Sequence, residues 1–218
     1  MENIAEKIGD QYITWQTGER VFITAPTGSG KTYFCFHVLL PYAIQNNQKI
    51  LYLVNRKALK LQLEEEKRSI ASEMAAKGIL GAEKAISILT YQSLEEAFKN
   101  GKSLINTYYR WIICDEAHYF LKDSLFNSAT CLSYTEVMQK SSMATIIFMS
   151  ATMDRIIDFV KRDTKKWEPD GVNEVSRMLG HKKDHEYSLE KDYRYLDIHT
   201  DVYKRQVQYE IPKANDTG

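Results

Sequence analysis

The sequence is poor in cysteine and has no excess of charge of either sign. Its three cysteines, Cys35, Cys114 and Cys131, form neither a CxxC metal-binding pair nor a disulfide framework. So sparse a set is typical of a reducing cytoplasm. Lysine plus arginine number 29 and aspartate plus glutamate number 29, so the formal net charge is +0. Overall charge therefore gives no reason to expect an acidic partner, and any contact with nucleic acid must come from local patches.

Long apolar runs are absent as well. The longest, residues 34–44, is too short to cross a bilayer and contains His37 and Pro41. The first ten residues, MENIAEKIGD, lack the apolar centre of a signal peptide. We therefore expect a soluble, cytoplasmic protein with no membrane partner. Its 218 residues, 44% of them hydrophobic, suffice for one α/β domain with a sizeable core, or for such a domain with a short appendage.

Apolar runs alternate along the chain with segments of helical character. The runs predict strands at 21–24, 49–54, 85–89, 110–114 and 143–149. Helices are predicted from 31 to Pro41, which should end or kink the helix, over 58–76, over 92–99 with Ser93 as a cap, within 133–140, and over 153–166. Strands that are apolar throughout and alternate with helices favour a parallel sheet with helices on both faces.

The first predicted strand runs into a glycine-rich turn that opens a helix. The segment from Ala25 to Thr32 reads APTGSGKT. Glycines let the backbone curl so that successive N–H groups point inward, and the first turn of the helix adds its own free N–H groups. Lys31 suits the β- and γ-phosphates and the Thr32 hydroxyl suits Mg²⁺. The segment therefore predicts a nucleoside triphosphate site, with ligands at Gly28, Ser29, Gly30, Lys31 and Thr32.

Two carboxylates, Asp115 and Glu116, follow the apolar strand at 110–114. Ligands of an open parallel sheet bind beyond the carboxyl ends of its strands, so this pair should face the same crevice as the glycine-rich turn. One carboxylate is needed to hold Mg²⁺ and a second to deprotonate an attacking water. Asp115 suits the first role and Glu116 the second. Taken alone, such a pair is more often a solvated surface feature, and it is the glycine-rich turn upstream and Ala117-His118 downstream that favour the functional interpretation.

Three motifs stand in order along the chain: APTGSGKT at 25–32, DEAH at 115–118 and SAT at 150–152. Together they resemble the first RecA-like domain of a superfamily 2 helicase of the DEAD/DEAH-box type, over roughly residues 10–166. The resemblance implies a P-loop NTPase with a RecA-like parallel sheet, and it implies ATP and Mg²⁺ as ligands. The usual phosphate loop begins with Gly, whereas Ala25 stands here; alanine is common at this position in that superfamily.

The resemblance also implies roles for individual residues. Lys31, Asp115 and Glu116 match the catalytic set, with Thr32 and Asp115 holding Mg²⁺. His118 matches the residue that links the nucleotide site to the SAT motif, so we count it with the catalytic set. The residues that couple hydrolysis to domain movement would be Ser150 and Thr152. Simple helix capping after a strand is a second reading of Ser150 and Thr152, and it is compatible with the first.

Two further segments resemble family motifs that touch the backbone of nucleic acid. They are 54–59, with Arg56, and 90–93, with Thr90 and Gln92. Arginine can pair with a phosphate, while hydroxyl and amide groups can bond to phosphate or sugar without reading sequence. An ordinary solvated arginine at a helix start is the alternative. The DEAH sequence of the acidic motif does not indicate whether the nucleic acid is DNA or RNA. The adenine-reading motif is unclear, because Tyr12 and Trp15 could either stack on a base or pack internally.

After residue 166 the chain becomes polar. We expect a RecA-like ATP-binding domain over 1–166, a linker and the start of a missing second domain over 167–200, and either an assembly artefact or a polar tail over 201–218. Residues 201–206, DVYKRQ, resemble the translation of a transposase adapter used in sequencing libraries. His181 and His185 have the i, i+4 spacing of a helical metal site, but nothing completes one, so we expect exposed polar residues.

The leading hypothesis is an incomplete ATP-dependent helicase or translocase that binds nucleic acid without sequence preference. Because the resemblance implies arginine fingers on a second domain, this chain alone should hydrolyse ATP weakly or not at all. The alternatives are the ATPase motor of a restriction-type complex, with further subunits, an ATP- and nucleic-acid-binding module that does not unwind, and a P-loop ATPase with another task. The oligomeric state stays open.

Overall fold

A computed structural model describes residues 3–105, 107–122, 130–166 and 183–190. Within them, the strands are β1 (Arg20–Thr24), β2 (Ile50–Val54), β3 (Ile86–Thr90), β4 (Trp111–Asp115), β5 (Thr145–Ser150) and β6 (Asp184–Ser188). They form one parallel sheet in the order β3-β2-β4-β5-β1-β6. The five predicted strands are confirmed to within two residues at each end, and β6 joins them at the edge beside β1.

Helices connect the strands. They are α1 (Ile4–Ile8), α2 (Lys31–Tyr33), α3 (Leu40–Gln45), α4 (Lys57–Ala76), α5 (Ala82–Ala85), α6 (Tyr91–Lys99), α7 (Tyr119–Lys122), α8 (Thr130–Met138) and α9 (Asp154–Lys166), with a 3₁₀ turn at Gly9–Thr14. No helix of the described ranges is long and apolar enough to cross a membrane.

The strands are apolar throughout because both faces of the sheet are buried. Alternate residues of β1 face opposite sides: Val21 and Ile23 pack with the side chains of α1 to α5, whereas Phe22 packs with those of α6 to α9. On β2, Tyr52 joins the first cluster and Leu51 the second. This two-sided core is what the continuous apolar runs predict. The predicted parallel sheet with helices on both faces is confirmed.

The helix that follows the glycine-rich turn does not end at Pro41. It passes from α2 through a π-helical stretch, Phe34–Leu39, into α3, where Pro41 occupies the first turn. Proline lacks the N–H that an α-helical ladder requires, and a π-helical stretch shifts the hydrogen-bond register just before that position. Of the two predicted effects of Pro41, ending the helix or kinking it, the first was therefore wrong.

Helix α6 begins one residue earlier than predicted, and its cap is a different residue. Thr90 is the N-cap, and its hydroxyl accepts a hydrogen bond from the Ser93 N–H. Ser93 lies inside the helix, so its predicted capping role was wrong. The reason is that Thr90 ends β3 in an extended conformation, which is the backbone geometry that an N-cap requires.

Strand β6 lies in the segment that we expected to be a linker and the start of a second domain. Arg20 of β1 pairs with Asp184 through two hydrogen bonds of 2.8 and 2.9 Å, and Glu19 bonds to His185 at 2.9 Å. His185 therefore lies on a strand with a carboxylate partner, so its predicted exposure was wrong, while His181 lies outside the described residues. Residues 167–182 and 191–218 are also outside them, and the domain boundaries stay predictions.

Candidate active site

The predicted site residues meet where three adjacent strands end. The glycine-rich turn follows β1, Asp115 is the last residue of β4 and Ser150 is the last residue of β5. The order β4-β5-β1 makes these strands neighbours, with Thr24 beside Ser150 and Asp115 beside Met149. The Ala25 N–H donates to the Ser150 carbonyl at 3.0 Å, and this bond extends the pairing of β1 with β5 one residue beyond the end of β1. Sheet topology therefore places the predicted phosphate loop and the acidic pair along one edge.

The turn between β1 and α2 has the backbone of an anion cradle. Gly28 and Gly30 have φ angles of +81° and +84°, which side-chain-bearing residues rarely adopt. A Cβ at Gly28 would meet no atom within 4 Å, so the requirement for glycine there lies in the backbone conformation. Gly30 is the N-cap of α2, so the first N–H groups of that helix face the same space.

Lys31 is folded back into the loop. Its Nζ donates to the carbonyl oxygens of Ala25 and Pro26, each at 2.8 Å. Burial lowers the pKa of Lys31, while the charges of Asp115 and Glu116 oppose that shift. The ammonium therefore lies within electrostatic reach of both carboxylates. It is held by carbonyl groups that a phosphate oxygen could replace as partners.

Asp115 is buried and is held by two donors. The Tyr52 hydroxyl donates to its Oδ2 at 3.1 Å, and the Glu116 N–H donates to its Oδ1 at 2.9 Å. Burial and, second, the charge of Glu116 raise the pKa of Asp115 from 3.8 to about 6, against the opposing effects of Tyr52 and Lys31. A desolvated carboxylate next to a second one favours a nearby cation.

Glu116 follows with an unusual backbone. Its φ is +50°, which is rare for a residue with a side chain and which the surrounding contacts must hold. Its Oε2 lies 3.0 Å from His118 Nδ1, and the same nitrogen lies 3.1 Å from Ser150 Oγ. The predicted link between the acidic motif and the SAT motif is thus present as a contact between His118 and Ser150.

Ser150 and Thr152 differ in exposure. Ser150 is fully buried, and its hydroxyl accepts the Thr152 N–H at 3.2 Å. The side chain of Thr152 is exposed. The turn before α9 is therefore organised by Ser150, as the capping interpretation suggested, while Ser150 also touches His118. Both readings of the SAT segment fit this geometry.

The predicted nucleic-acid residues lie at the same edge, on the β2 and β3 side. Arg56 is exposed at the N-cap of α4, and Gln92 is exposed at the start of α6, where its Nε2 donates to the Asn55 carbonyl at 2.9 Å. Thr90 is only 1% exposed and its hydroxyl caps α6. The geometry therefore does not favour direct contact by the Thr90 side chain, because that hydroxyl is buried and already bonded.

The two aromatic candidates for adenine recognition have different surroundings. Trp15 is 2% exposed and makes edge contacts with Phe34 and Trp111, so it packs internally. Tyr12 is half-buried, with its ring at right angles to that of Tyr42 at 5.2 Å. Of the two predicted alternatives, stacking on a base or packing internally, Trp15 follows the second, whereas part of the surface of Tyr12 is accessible.

Two buried tyrosines at the site were missed from the sequence. Tyr52 bonds to the carboxylate of Asp115, and the Tyr91 hydroxyl donates to its main-chain carbonyl at 2.9 Å. Each is a fully buried phenol, whose hydroxyl must find a partner. That signal predicts a hydrogen bond, but it cannot name the partner without the sheet order.

In the described part of the chain, a six-stranded parallel sheet with a phosphate loop after β1 and an acidic pair at the end of β4 defines a P-loop NTPase with a RecA-like fold. Residues 1–155 match the family described as "Type III restriction enzyme, res subunit", and the chain belongs to that family. It is a helicase-like superfamily 2 N-terminal domain, so the predicted resemblance to a RecA-like domain of that superfamily is confirmed. Domains of this class generally use ATP and Mg²⁺ and generally bind nucleic acid.

Among solved structures, the chain is similar to the helicase domain of Hef from Pyrococcus furiosus, with 20% identity and a TM-score of 0.49. The alignment covers 92% of this chain and 41% of that one, so this chain spans less than half the length of that relative. No curated protein matches the sequence.

Proposed function

We propose that this chain is the nucleotide-binding domain of an ATP-dependent nucleic-acid motor. It would bind Mg²⁺–ATP at Ala25–Thr32, hydrolyse it with Glu116, and contact a nucleic-acid backbone through Arg56 and Gln92. The observation that carries the proposal is that the loop with Lys31 and the pair Asp115 and Glu116 lie along one edge of the sheet, at the ends of β1 and β4. The charges of both carboxylates also act on the pKa of Lys31. A lysine and two carboxylates beside an anion cradle suit a metal-bound triphosphate.

Each residue of the loop has a task in this proposal. The N–H groups after Gly28 and Gly30 would hold phosphate oxygens, and Lys31 would exchange its carbonyl partners for the β- and γ-phosphates. Thr32 and Asp115 would hold Mg²⁺, Asp115 through water. Mg²⁺ would neutralise charge that develops on the phosphoryl oxygens. The Tyr52 hydroxyl, which bonds to Asp115, fits this assignment because ligands of a metal usually need supporting hydrogen bonds.

Glu116 is the candidate general base. In this proposal it orients a water and accepts its proton as that water attacks the γ-phosphorus, so that ADP and inorganic phosphate are released. His118 lies between Glu116 and Ser150, at 3.0 and 3.1 Å. A change in the position of Glu116 on hydrolysis would therefore reach the turn before α9, through which we propose that Ser150 and Thr152 couple hydrolysis to movement.

Nucleic acid would lie across the ends of β2 and β3. Arg56 and Gln92 are exposed there, and the contact from Gln92 to the Asn55 carbonyl joins their two loops. Such groups recognise phosphate and sugar, so we propose binding without sequence preference. Thr90 would hold the loop in shape, by capping α6, and not touch the ligand. The buried free thiols of Cys35 and Cys114 are in keeping with the cytoplasmic location that we propose.

Nucleotide binding by a Lys31→Ala variant tests the assignment of the loop. Charged hydrogen bonds to phosphate contribute about 1.5–3 kcal/mol, so the affinity for Mg²⁺–ATP should fall about 10-fold to 100-fold. Lys77→Ala is the matched control, because the Lys77 side chain is 65% exposed and pairs with Glu73 on the surface of α4. Titration calorimetry on both variants gives the comparison. Undiminished binding by Lys31→Ala would remove the loop from the proposal.

A second candidate is the motor of a restriction-type complex, which the family description favours. In that case duplex DNA should be the preferred nucleic acid, and the motor should work with further subunits. ATP hydrolysis measured with duplex DNA, single-stranded DNA and RNA separates the two candidates. Stimulation by duplex DNA alone supports the restriction-type motor, whereas stimulation by RNA argues against it.

A further inference from the structure

Tyr91 connects two parts of the molecule that the proposed function treats separately. It is the first residue of α6, directly after β3, and it is fully buried. Its hydroxyl donates to the main-chain carbonyl of Asp115 at 2.9 Å. That carbonyl belongs to the peptide between Asp115 and Glu116. The hydrogen bond therefore holds the peptide plane from which the φ angle of Glu116, +50°, is measured.

Tyr91 also reaches the far end of the acidic motif. Its ring stacks on that of Tyr119, the residue after His118, with centroids 4.8 Å apart and planes 8° from parallel. One helical turn further along α6, Glu95 Oε1 accepts the Tyr119 hydroxyl at 3.1 Å and the Ser133 hydroxyl at 3.2 Å. Helix α6 thus holds the segment from Asp115 to Tyr119 at both ends.

The same helix end carries a proposed nucleic-acid contact. Gln92 follows Tyr91 directly, is exposed, and donates to the Asn55 carbonyl next to Arg56. A ligand that draws Gln92 and Arg56 toward its phosphates moves the first turn of α6. Because Tyr91 lies in that turn and is enclosed by packed side chains, its hydroxyl moves with the backbone. The displaced atom is the one that fixes the peptide before Glu116.

We propose that Tyr91 is a positioning residue that couples nucleic-acid binding at Arg56 and Gln92 to the placement of Glu116. This inference rests on the proposed function. Glu116 has a backbone conformation of low intrinsic population, so a neighbouring hydrogen bond can shift how often it is occupied. Coupling of this kind is reciprocal: nucleic acid changes the affinity for nucleotide by the same factor as nucleotide changes the affinity for nucleic acid.

Tyr91→Phe tests the proposal, because it keeps the ring stacked on Tyr119 and removes only the hydroxyl. The quantity measured is the factor by which Mg²⁺–AMP-PNP changes the affinity for fluorescein-labelled oligothymidylate and oligouridylate, read by fluorescence anisotropy. We expect this factor to fall about fivefold or more, toward one, in Tyr91→Phe. Tyr109→Phe is the control and should keep the wild-type factor, because Tyr109 is a buried tyrosine at the opposite end of β4.

A second variant keeps the test independent of how well Tyr91→Phe folds. Tyr119→Phe retains the stacked ring and removes the bond to Glu95, so its factor should shift in the same direction. A folded Tyr91→Phe protein with the wild-type factor overturns the inference, as does a wild-type protein that binds both ligands without coupling. A wild-type protein that binds neither nucleotide nor oligonucleotide overturns the proposed function itself, so the two failures are distinguishable.

Discussion

Replacing Asp115 by asparagine should stabilise the protein when nucleotide and Mg²⁺ are absent. The side chain is buried, and burial followed by the charge of Glu116 raises the pKa of Asp115 from 3.8 to about 6. At about 1.4 kcal/mol per pH unit, the ionised carboxylate costs the folded state about 3 kcal/mol at neutral pH. The asparagine amide is uncharged, so this cost is absent in the variant. Its oxygen can still accept the Glu116 N–H, and its NH₂ can donate to the Tyr52 hydroxyl oxygen.

The pH dependence gives the sign of the effect. Above the folded pKa of about 6, the carboxylate is ionised in both states and the full cost is present. As pH falls from there to 3.8, the folded state takes up a proton while the unfolded state stays ionised, so the cost shrinks. Below 3.8 both states are neutral and the cost is gone. The advantage of Asp115→Asn over the wild type should therefore be largest above neutral pH and decrease with acidification.

Urea unfolding at several pH values between neutral and mildly acidic measures this directly. Taking the difference between the two proteins at each pH cancels the effect of other groups, such as Glu19, whose pKa is lowered by its bonds to Gln16 and His185. Asp158→Asn is the control, because this exposed residue of α9 should change stability by less than about 0.5 kcal/mol. A variant less stable than the wild type at neutral pH, or a difference that does not vary with pH, would refute the reasoning.

Three further predictions concern the frame around the site. Thr90→Ala should cost about 1 kcal/mol of unfolding free energy by removing the cap of α6, measured by urea unfolding; an unchanged value would contradict the capping role. Arg56→Ala should lower the slope of log affinity against log salt for an oligonucleotide by about 1, and an identical slope would argue against a phosphate contact. Arg20→Met should lower the free energy of unfolding by about 3 kcal/mol, because it leaves the Asp184 carboxylate without its arginine partner. Lys161→Met, at a half-exposed ion pair, should lower it by less than about 1 kcal/mol. Equal losses in urea unfolding would contradict the importance of the pair between Arg20 and Asp184.

The parts of the fold that follow from local chemistry were predictable. The strand from Trp111 to Asp115 is apolar up to its last residue, and the chain then turns with two carboxylates. The loop at 25–32 needs glycine at positive φ followed by a helix, and both requirements are visible in the residues themselves. Because the carboxyl ends of parallel strands lie along one edge, the meeting of these two segments could be inferred before the strand order was known.

What could not be predicted depends on partners far away in the chain. Strand β6, with the sequence DHEYS, is polar and becomes a strand because Asp184 meets Arg20 and Tyr187 packs in the core. The roles of Tyr52 and Tyr91 depend on β2 lying beside both β4 and β3. That the helix continues past Pro41 could not be predicted, because the π-helical stretch before it has no simple sequence signature.

Single-turnover hydrolysis of ATP by Glu116→Gln, followed with protein in excess because the wild-type rate of this chain alone should be slow, tests the central claim most directly. The amide keeps the size of the side chain but cannot accept a proton from water, so the rate should fall about 100-fold or more while Mg²⁺–ATP binding is retained. Glu83→Gln, at an exposed position of α5, should hydrolyse at the wild-type rate. Retention of the wild-type rate by Glu116→Gln would contradict the claim that the acidic pair and the phosphate loop form one hydrolytic site.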